Sequence, residues 1–435
     1  MQLDLTNVGK IGKASIRFDG LTLIAGRNDT GKSTVGKTIY TLVKAIHGYE
    51  KHSILRGKLH ISKEILNHLD YIDRFIDKEI VEFINLKSEM QLLTELFESI
   101  QRDMVNERNK IMETWEQLPL SDFKKMATKV IEFGRKQTIY NTDEVFKKDL
   151  DEFKNSLEEE SIEKKLSNKL DSEFRRTLDG NINNSLHYDD VAEINLSINR
   201  GEVLNCKAEH DEISINSFDK DKSIFSDATF VETPLILDCE PMNWSSYSVD
   251  LKKKIGELGN TDKKEIPECL NNNFNGRVFY KSNEGLKYKI SREANELEIS
   301  NMASGSKSFA LLQILYRTGL LLGNPNHLLI LDEPENHLHP EWQVQFAEIL
   351  VKLIKEERLN VLITSHSPYL IKGLYYYAKK EGLDEKKVNF YLSEQSEQKE
   401  NNYANIEKVE LDELYKIFAQ LSKPLKNMIW DEIED

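Results

Sequence analysis

Hydrophobic residues along this chain follow two different periods, and the points where the period changes mark the predicted elements. Three nearly continuous apolar runs predict strands buried on both faces of a parallel sheet, at residues 21–25, 328–331 and 360–364. Alternating apolar and polar residues predict a hairpin within residues 2–18 and a mostly antiparallel sheet over 190–237, whose last strand, 228–237, is more buried. The pattern is typical of the α/β class, with a mixed sheet and an antiparallel β subdomain.

A helical period replaces the strand pattern in the first half of the chain. Residues 58–118 contain neither glycine nor proline, and their apolar residues recur every three or four positions, as in long amphipathic helices. We interpret residues 51–189 as a long helical, coiled-coil-like insertion, which is either a packing module or a docking arm for a partner or polymer. Residues 240–275 are polar and predict a loop.

A glycine-rich loop follows the first apolar run. Residues 26–34 read Gly-Arg-Asn-Asp-Thr-Gly-Lys-Ser-Thr, which satisfies the G-x-x-x-x-G-K-[ST] pattern between a strand and an apolar helical segment. In such a loop, backbone N–H groups and the helix N-terminus hold phosphates. Lys32 is predicted to reach the β- and γ-phosphates, and Ser33 to ligate Mg²⁺. The other candidate nucleotide-binding positions in the loop are Gly26, Asn28, Gly31 and Thr34.

Two acids stand at the end of the second apolar run. Asp332 and Glu333 follow residues 328–331, and ligands of open α/β sheets bind at the carboxyl ends of strands. Because adjacent strand residues point to opposite faces, we expect the two acids to have different roles. One holds a metal ion through water while the other meets the attacking nucleophile, as nucleotide hydrolysis requires. His366 ends the third run and is predicted to contact a γ-phosphate.

A second anion-binding turn is predicted upstream of the acidic strand. Residues 301–308 are small and rich in hydroxyl groups, and they directly precede an apolar helical segment. An ordinary helix N-cap explains the same residues, so only the position of the turn, just upstream of the acidic strand, favours an anion-binding site. His337 and His339, spaced H-x-H beside acids, also fit a zinc site.

Composition and charge narrow the function classes. The chain has 435 residues, a formal charge of −15 and three cysteines, whose spacings match no metal motif and suit a reducing cytosol. The net charge argues weakly against a dedicated nucleic-acid binder, because any such contact requires a local basic patch. No apolar run is long enough to span a bilayer, and the first residues lack the layout of a secretory signal. We therefore predict a cytoplasmic protein without a membrane partner.

Four of these elements, taken in order, resemble the ATP-binding-cassette (ABC) ATPase superfamily: residues 26–34, 303–308, 328–340 and 366. The resemblance implies an ABC-ATPase-like fold with a P-loop core, and hydrolysis of ATP with Mg²⁺. It implies that Lys32 and Ser33 are the Walker A lysine and the metal-binding serine, and that Ser304 and Gly305 are the signature serine and first glycine. It implies further that Asp332 is the Walker B aspartate, Glu333 the catalytic glutamate and His366 the switch histidine.

The sequence departs from the superfamily pattern in the signature. Ser306 and Lys307 replace its second glycine and glutamine, so we expect Lys307 to add a cation to the phosphate contact. No Q-loop glutamine is assigned, and residues 232–234 are the candidate region. Residues 336–340 fall on the D-loop, which argues against the zinc site.

The amino-acid sequences of residues 332–340 and 364–368 are similar to those of the SMC-like and OLD-like branch of the superfamily. That branch includes DNA-repair ATPases and ATPase subunits of bacterial phage-defence systems such as Septu, PARIS and retron-linked operons. The resemblance implies a homodimer or higher homo-oligomer, in which the signature of one copy closes on nucleotide held by the other. Too few residues follow His366 for the nuclease domain of OLD proteins, so we expect a separate effector protein, a nuclease or toxin. A repair-type ATPase that clamps DNA is the alternative.

These predictions divide the chain into four segments: an N-terminal ATPase lobe with Walker A at 1–50, the helical insertion at 51–189, a β-rich part of the ATPase lobe at 190–300 with the polar loop, and a C-terminal lobe with signature, Walker B, D-loop and switch histidine at 301–435.

Overall fold

The computed structural model describes residues 1–75, 119–138, 144–158, 160–184, 187–238, 245–258, 266–268, 270, 276–281, 285–290, 295–322, 325–396 and 403–410. The chain forms two compact units, one from Met1–His47 with Leu170–Asp435 and the other from Gly48–Lys169. Part of the predicted insertion, residues 76–118, lies outside the described residues, as does the end of the predicted C-terminal lobe from 411 onwards.

A mixed sheet of eleven described strands is the main feature of the first unit, in the order β6-β5-β4-β1-β2-β14-β13-β3-β12-β11-β7. Its strands are β1 Gln2–Val8, β2 Ile11–Arg17, β3 Leu21–Gly26, β4 Ala192–Ile198, β5 Gly201–Glu209, β6 Glu212–Phe218, β7 Asp227–Val231, β11 His327–Asp332, β12 Asn360–Ser365, β13 Val388–Gln395 and β14 Ala404–Lys408. A separate sheet contains β8 Gly276–Lys281, β9 Gly285–Ile290 and β10 Glu296–Glu298. The predicted mixed α/β fold is confirmed.

Five neighbouring strands, β13, β3, β12, β11 and β7, run parallel to one another. Every residue of β3 and β11 is buried, as the continuous apolar runs predict. In the parallel register Ser365 lies opposite Ala25, Asp332 opposite Thr364, and Leu331 opposite Val231. The carboxyl ends of β3, β12, β11 and β7 therefore lie together at one edge of the sheet.

The other strands pair mainly in the antiparallel sense, as alternation predicts. The hairpin forms between β1 and β2, and β4, β5 and β6 form a meander beside β1. The prediction is wrong for residues 228–237, because the strand ends at Val231 and Pro234–Leu237 is a 3-10 helix. Proline cannot donate a backbone hydrogen bond to a sheet ladder, and Thr233 caps the helix by accepting from Leu235 N.

The helices are α1 Lys32–Phe75, α2 Leu120–Thr138, α3 Glu144–Ser156, α4 Ile162–Thr177, α5 Ser246–Gly256, α6 Ser304–Arg317, α7 Pro340–Glu357 and α8 Pro368–Lys380. Helix α5 corrects the predicted loop at 240–275. Ser245 caps it by accepting from Ser248 N, and Tyr247, Leu251 and Ile255 bury one face at helical spacing. None of the helices in the described ranges combines the length and apolar character that crossing a bilayer requires.

A partly buried network of charges lies at the amino-terminal edge of β7 and β11. The ammonium groups of Lys44 and Lys254 both contact the carboxylates of Asp227 and Asp250. Burial alone would raise the pKa of Asp227, but the two ammonium groups lower it to about 2. His327, whose Nε2 lies 3.0 Å from Thr229 Oγ1, has its pKa lowered to about 4 by burial and by both lysines, against the opposing effect of both aspartates. The network holds His327 neutral in the folded protein.

We expect this histidine to make the protein less stable in mild acid. Its pKa rises from about 4 when folded to 6.5 when unfolded, so the unfolded state binds more protons and stability is lost as pH falls from 6.5 to 4. The loss is at most on the order of 3 kcal/mol. Denaturant melts of wild type and His327→Gln at pH 7.5 and 5 measure it, with the exposed His60→Gln as control. An equal pH dependence in all three proteins would contradict the assignment to His327.

Candidate active site

Contacts with neighbouring strands hold the glycine-rich loop in place. Ser393 Oγ of β13 donates to the Thr30 carbonyl at 2.6 Å. Gly31 has φ +80, and a Cβ there would lie 2.9 Å from Ile11 Cγ1 of β2. Helix α1 begins at Lys32, so its free N–H groups face the loop. Asn28 is exposed on the loop and Thr34 lies in the first turn of the helix.

Lys32 connects this loop to the acidic strand. Its side chain is only 3% exposed, its Nζ donates to the Arg27 carbonyl at 2.6 Å, and the same atom lies 3.7 Å from Glu333 Oε1. Burial lowers the pKa of Lys32, and the charges of Glu333, Asp332 and Glu335 oppose that shift. The ammonium is the cation of this acidic cluster and is placed to exchange these partners for phosphate oxygens.

Asp332 contacts Ser33, the residue that follows the loop lysine. It accepts from Ser33 Oγ at 2.9 Å and from Thr364 Oγ1 at 2.5 Å. Burial raises the pKa of Asp332, and the two hydroxyl hydrogen bonds oppose that shift. A serine hydroxyl beside a carboxylate offers the oxygen ligands that Mg²⁺ prefers. Within the described ranges no group of three or more His, Cys, Asp and Glu side chains is arranged to hold a metal ion.

Glu333 stands just beyond the end of β11, and this corrects the expectation that strand alternation separates the two acids. Its φ of +47 is uncommon for a residue other than glycine, and its N–H lies 3.1 Å from the backbone and side-chain oxygens of Thr364. Glu333 Oε1 lies 3.7 Å from Lys32 Nζ and 3.4 Å from His366 Nδ1. The two acids therefore meet different partners, which are the hydroxyls of Ser33 and Thr364 for Asp332 and the side chains of Lys32 and His366 for Glu333.

Two further functional candidates in this cluster are not predicted by the sequence pattern. Thr364 bridges Asp332 and Glu333, and Glu335 is buried beside His366. The signal for Thr364 is its position at the end of a buried strand adjacent to the acidic one. The pattern offers little signal for Glu335, because an acid after a proline turn is usually solvated.

The predicted signature turn is placed at the start of α6. Ser304 is the first helical residue, and the N-cap, Ala303, makes no side-chain cap bond, so the serine is not an N-cap. A Cβ on Gly305 would lie 2.9 Å from both the His337 carbonyl and the Trp342 ring, so the predicted signature turn packs closely against these two residues of its own chain.

Lys307, which is predicted to add a cation to the phosphate contact, is paired within its own chain. Its side chain is 5% exposed, and its Nζ donates to Asp238 Oδ2 at 2.6 Å and to the Ser300 carbonyl at 3.3 Å. The ammonium therefore faces Asp238 in this structure, and its contact with nucleotide stays a prediction.

Gly305 gives a prediction about packing. We expect Gly305→Ala to destabilise the fold by about 1–3 kcal/mol, because the added methyl group meets backbone and an aromatic ring. Gly256→Ala is the matched control, since no atom lies within 4 Å of its new Cβ. Thermal melts that show equal stability for the two variants would contradict this prediction, because the turn would then accommodate the methyl group without loss of stability.

The remaining candidates have structural explanations or lie at the edge of the site. His339 is the N-cap of α7 and its Nδ1 accepts from Glu341 N at 3.4 Å, which leaves little support for the zinc alternative. Glu232, in the candidate Q-loop region, directly follows β7. It accepts from Tyr247 OH at 3.0 Å and lies 3.6 Å from Lys37 Nζ.

A strand, a glycine loop and a helix, with Lys32 facing two acids at the carboxyl end of a parallel strand of the same sheet, define a P-loop nucleotide hydrolase. Residues 1–371 match the family described as AAA ATPase domain, and the chain belongs to that family. The protein is therefore an ATP-binding, ATP-hydrolysing P-loop enzyme.

Solved structures give more distant similarities. The SMC head bound to the C-winged helix domain of ScpA is 11% identical, with 95% of this chain and 98% of that chain covered and a TM-score of 0.39. The SMC head domain from Thermotoga maritima is 10% identical, with coverages of 94% and 98% and a TM-score of 0.38. The Smc head domain from Pyrococcus yayanosii is 10% identical, with coverages of 97% and 99% and a TM-score of 0.35. No curated protein matches the sequence.

Proposed function

We propose that this enzyme is a cytosolic ABC-type ATPase that hydrolyses ATP at sites shared between two copies of the chain. The proposal rests on two contacts at one edge of the sheet. Ser33 is hydrogen-bonded to Asp332, and Lys32 is paired with Glu333. His366 adds a third group to the second pair.

Each side chain has a distinct task in the proposed reaction. Glu333 orients and polarises the attacking water, because it is the carboxylate that also faces Lys32 and His366. Lys32 and His366 stabilise the charge that develops on the γ-phosphate. Mg²⁺, when bound, neutralises phosphate charge. Ser33 would hold it directly and Asp332 through water.

The signature turn supports the sharing of sites between two copies. On the side where it touches its own chain, Gly305 meets His337 and Trp342. We propose that Ser304 and Gly305 offer their other side, with the N-terminus of α6, to nucleotide held by a partner's P-loop.

Mixing two inactive variants tests the shared site. Lys32→Ala removes the P-loop cation and Ser304→Arg blocks the signature turn, and each alone should abolish turnover. If sites are shared, a mixed dimer keeps one site with neither defect, and an equimolar mixture should regain about a quarter of wild-type activity. No recovery, although the mixture contains mixed dimers by mass spectrometry, would show that each chain hydrolyses ATP alone.

We further propose that the nucleotide state holds or releases a separate effector, a nuclease or toxin, in anti-phage defence. The support is the resemblance of residues 332–340 and 364–368 to that branch. Expressed with the product of an adjacent gene, wild type should lower phage plaque counts and Glu333→Gln should not. Equal plaque counts for both would contradict this role.

The competing function is a repair-type ATPase that clamps DNA. The formal charge of −15 disfavours it without excluding a local basic patch. Gel shifts with duplex DNA, with and without ATP at 50 and 200 mM salt, distinguish the two functions, because phosphate contacts weaken steeply with salt. Tight, salt-sensitive, ATP-dependent binding would favour the clamp.

A further inference from the structure

Glu335 is a buried carboxylate that holds the turn on which His366 stands. It is 4% exposed, and its Oε1 accepts from Ser365 Oγ at 2.6 Å, from His366 N at 2.8 Å and from Ser367 N at 3.1 Å. Three donors on one oxygen tie the end of β12 to the segment after β11. A buried acid is normally tolerated only when it is satisfied in this way.

The same carboxylate also faces the imidazole. His366 Nδ1 lies 3.5 Å from Glu335 Oε1 and 3.4 Å from Glu333 Oε1, so the ring nitrogen stands between two acids. Glu335 Oε2 and His366 Nδ1 are both buried atoms without a hydrogen-bond partner. The 3.5 Å between Nδ1 and Glu335 Oε1 is just beyond normal hydrogen-bond length, so a small movement of the ring would let Nδ1–H donate to the Glu335 carboxylate.

We propose that Glu335 is a positioning residue for ATP hydrolysis, which orients His366 by fixing its backbone and by accepting from Nδ1–H. This inference rests on the proposed function of His366. A carboxylate that accepts from one ring nitrogen sets the tautomer and leaves the other nitrogen, Nε2, to face the substrate. In the proposed reaction Glu333 interacts with the attacking water, so it cannot accept from the imidazole throughout the cycle. Glu335 has no such task, and its position is already fixed by three donors.

The first test is Glu335→Gln, which keeps the shape of the side chain and an oxygen that accepts from the turn. We expect kcat for ATP to fall about 10–100-fold, as when the partner of a functional histidine is removed. KM for ATP should not rise, because Glu335→Gln removes a negative charge that acts on Lys32 and leaves the hydrogen bonds of Lys32 and Ser33 in place. The remote, half-buried carboxylate of Asp250, changed to Asn, is the control, and there kcat should stay near wild type even if the melting temperature falls.

A double-mutant cycle separates positioning from general support of the fold. If Glu335 acts through His366, kcat of the double variant Glu335→Gln with His366→Ala should equal that of His366→Ala alone. Ser365→Ala, which removes one donor to Glu335, is a milder second variant for the case that Glu335→Gln does not fold. It should lower kcat less, and its effect should also vanish in the His366→Ala background.

The outcomes distinguish this inference from the function on which it rests. Losses that multiply in the double variant, or full kcat in a folded Glu335→Gln, would overturn the role of Glu335 while loss of turnover in Glu333→Gln still supports the ATPase site. Unchanged hydrolysis in His366→Ala would overturn the role of His366 and with it that of Glu335, whereas unchanged hydrolysis in Glu333→Gln would overturn the proposed reaction itself.

Discussion

Replacing Glu333 with Gln is expected to reduce ATP turnover on the order of a thousandfold while ATP still binds. General-base catalysis contributes about 10²–10⁴-fold, and an amide cannot take up the proton or polarise water as a carboxylate does. The geometry makes Glu333 the residue to change, because its Oε1 faces both Lys32 Nζ and His366 Nδ1. Asp332 instead accepts from the hydroxyls of Ser33 and Thr364, on the side where we propose that Mg²⁺ binds.

The same change is expected to preserve or strengthen nucleotide binding. Glu333→Gln removes a negative charge beside Lys32, and a triphosphate then meets less repulsion at the site. If two copies share the sites, slow hydrolysis should also trap an ATP-bound dimer.

Three measurements check this variant: steady-state phosphate release, calorimetric ATP affinity and sedimentation with and without ATP. Glu356→Gln, the same exchange at an exposed position of α7, should behave as wild type in all three. Wild-type phosphate release by Glu333→Gln would remove Glu333 from its proposed role.

Lys32→Ala is expected to weaken ATP binding by about 100-fold, with loss of turnover at cellular ATP concentrations. A charge-assisted hydrogen bond is worth about 1.5–3 kcal/mol, and each 1.4 kcal/mol is tenfold in affinity. Here the loss is compounded, because Lys32 is the cation that offsets Asp332, Glu333 and Glu335. Without it, a polyanionic ligand faces three carboxylates.

Calorimetry with ATP and Mg²⁺ measures the affinity, and circular dichroism confirms that the variant folds. Lys13→Ala, which removes an exposed lysine, is the matched control and should bind ATP as wild type does. Undiminished affinity in folded Lys32→Ala would mean that the loop does not hold the phosphates.

Much of the site follows from sequence because its chemistry depends on short contiguous motifs. Residues 26–34 require a strand before them and a helix after them, and both are present. Asp332 and His366 are predictable as neighbours because two buried apolar runs pair in parallel and bring their carboxyl ends to one edge.

Other features depend on partners that are distant in sequence. Lys307 reads as a free cation near the signature, but Asp238, far upstream, neutralises it. Helix α5 reads as loop because its apolar face is sparse, and the helix is stable only where Tyr247, Leu251 and Ile255 are buried. The positive φ of Glu333 is likewise set by contacts with Thr364, thirty-one positions later in the chain.

The sequence by itself determined that this protein is a P-loop ATPase, because a phosphate cradle needs particular residue types at fixed, local spacing. Only the tertiary structure decided which acids act on which partners. Glu333 leaves the strand and turns toward Lys32 and His366, and Glu335 is buried against the turn that carries His366. Those relations join residues from separate strands, and no local pattern encodes a contact whose two sides are fixed by the packing of the whole sheet.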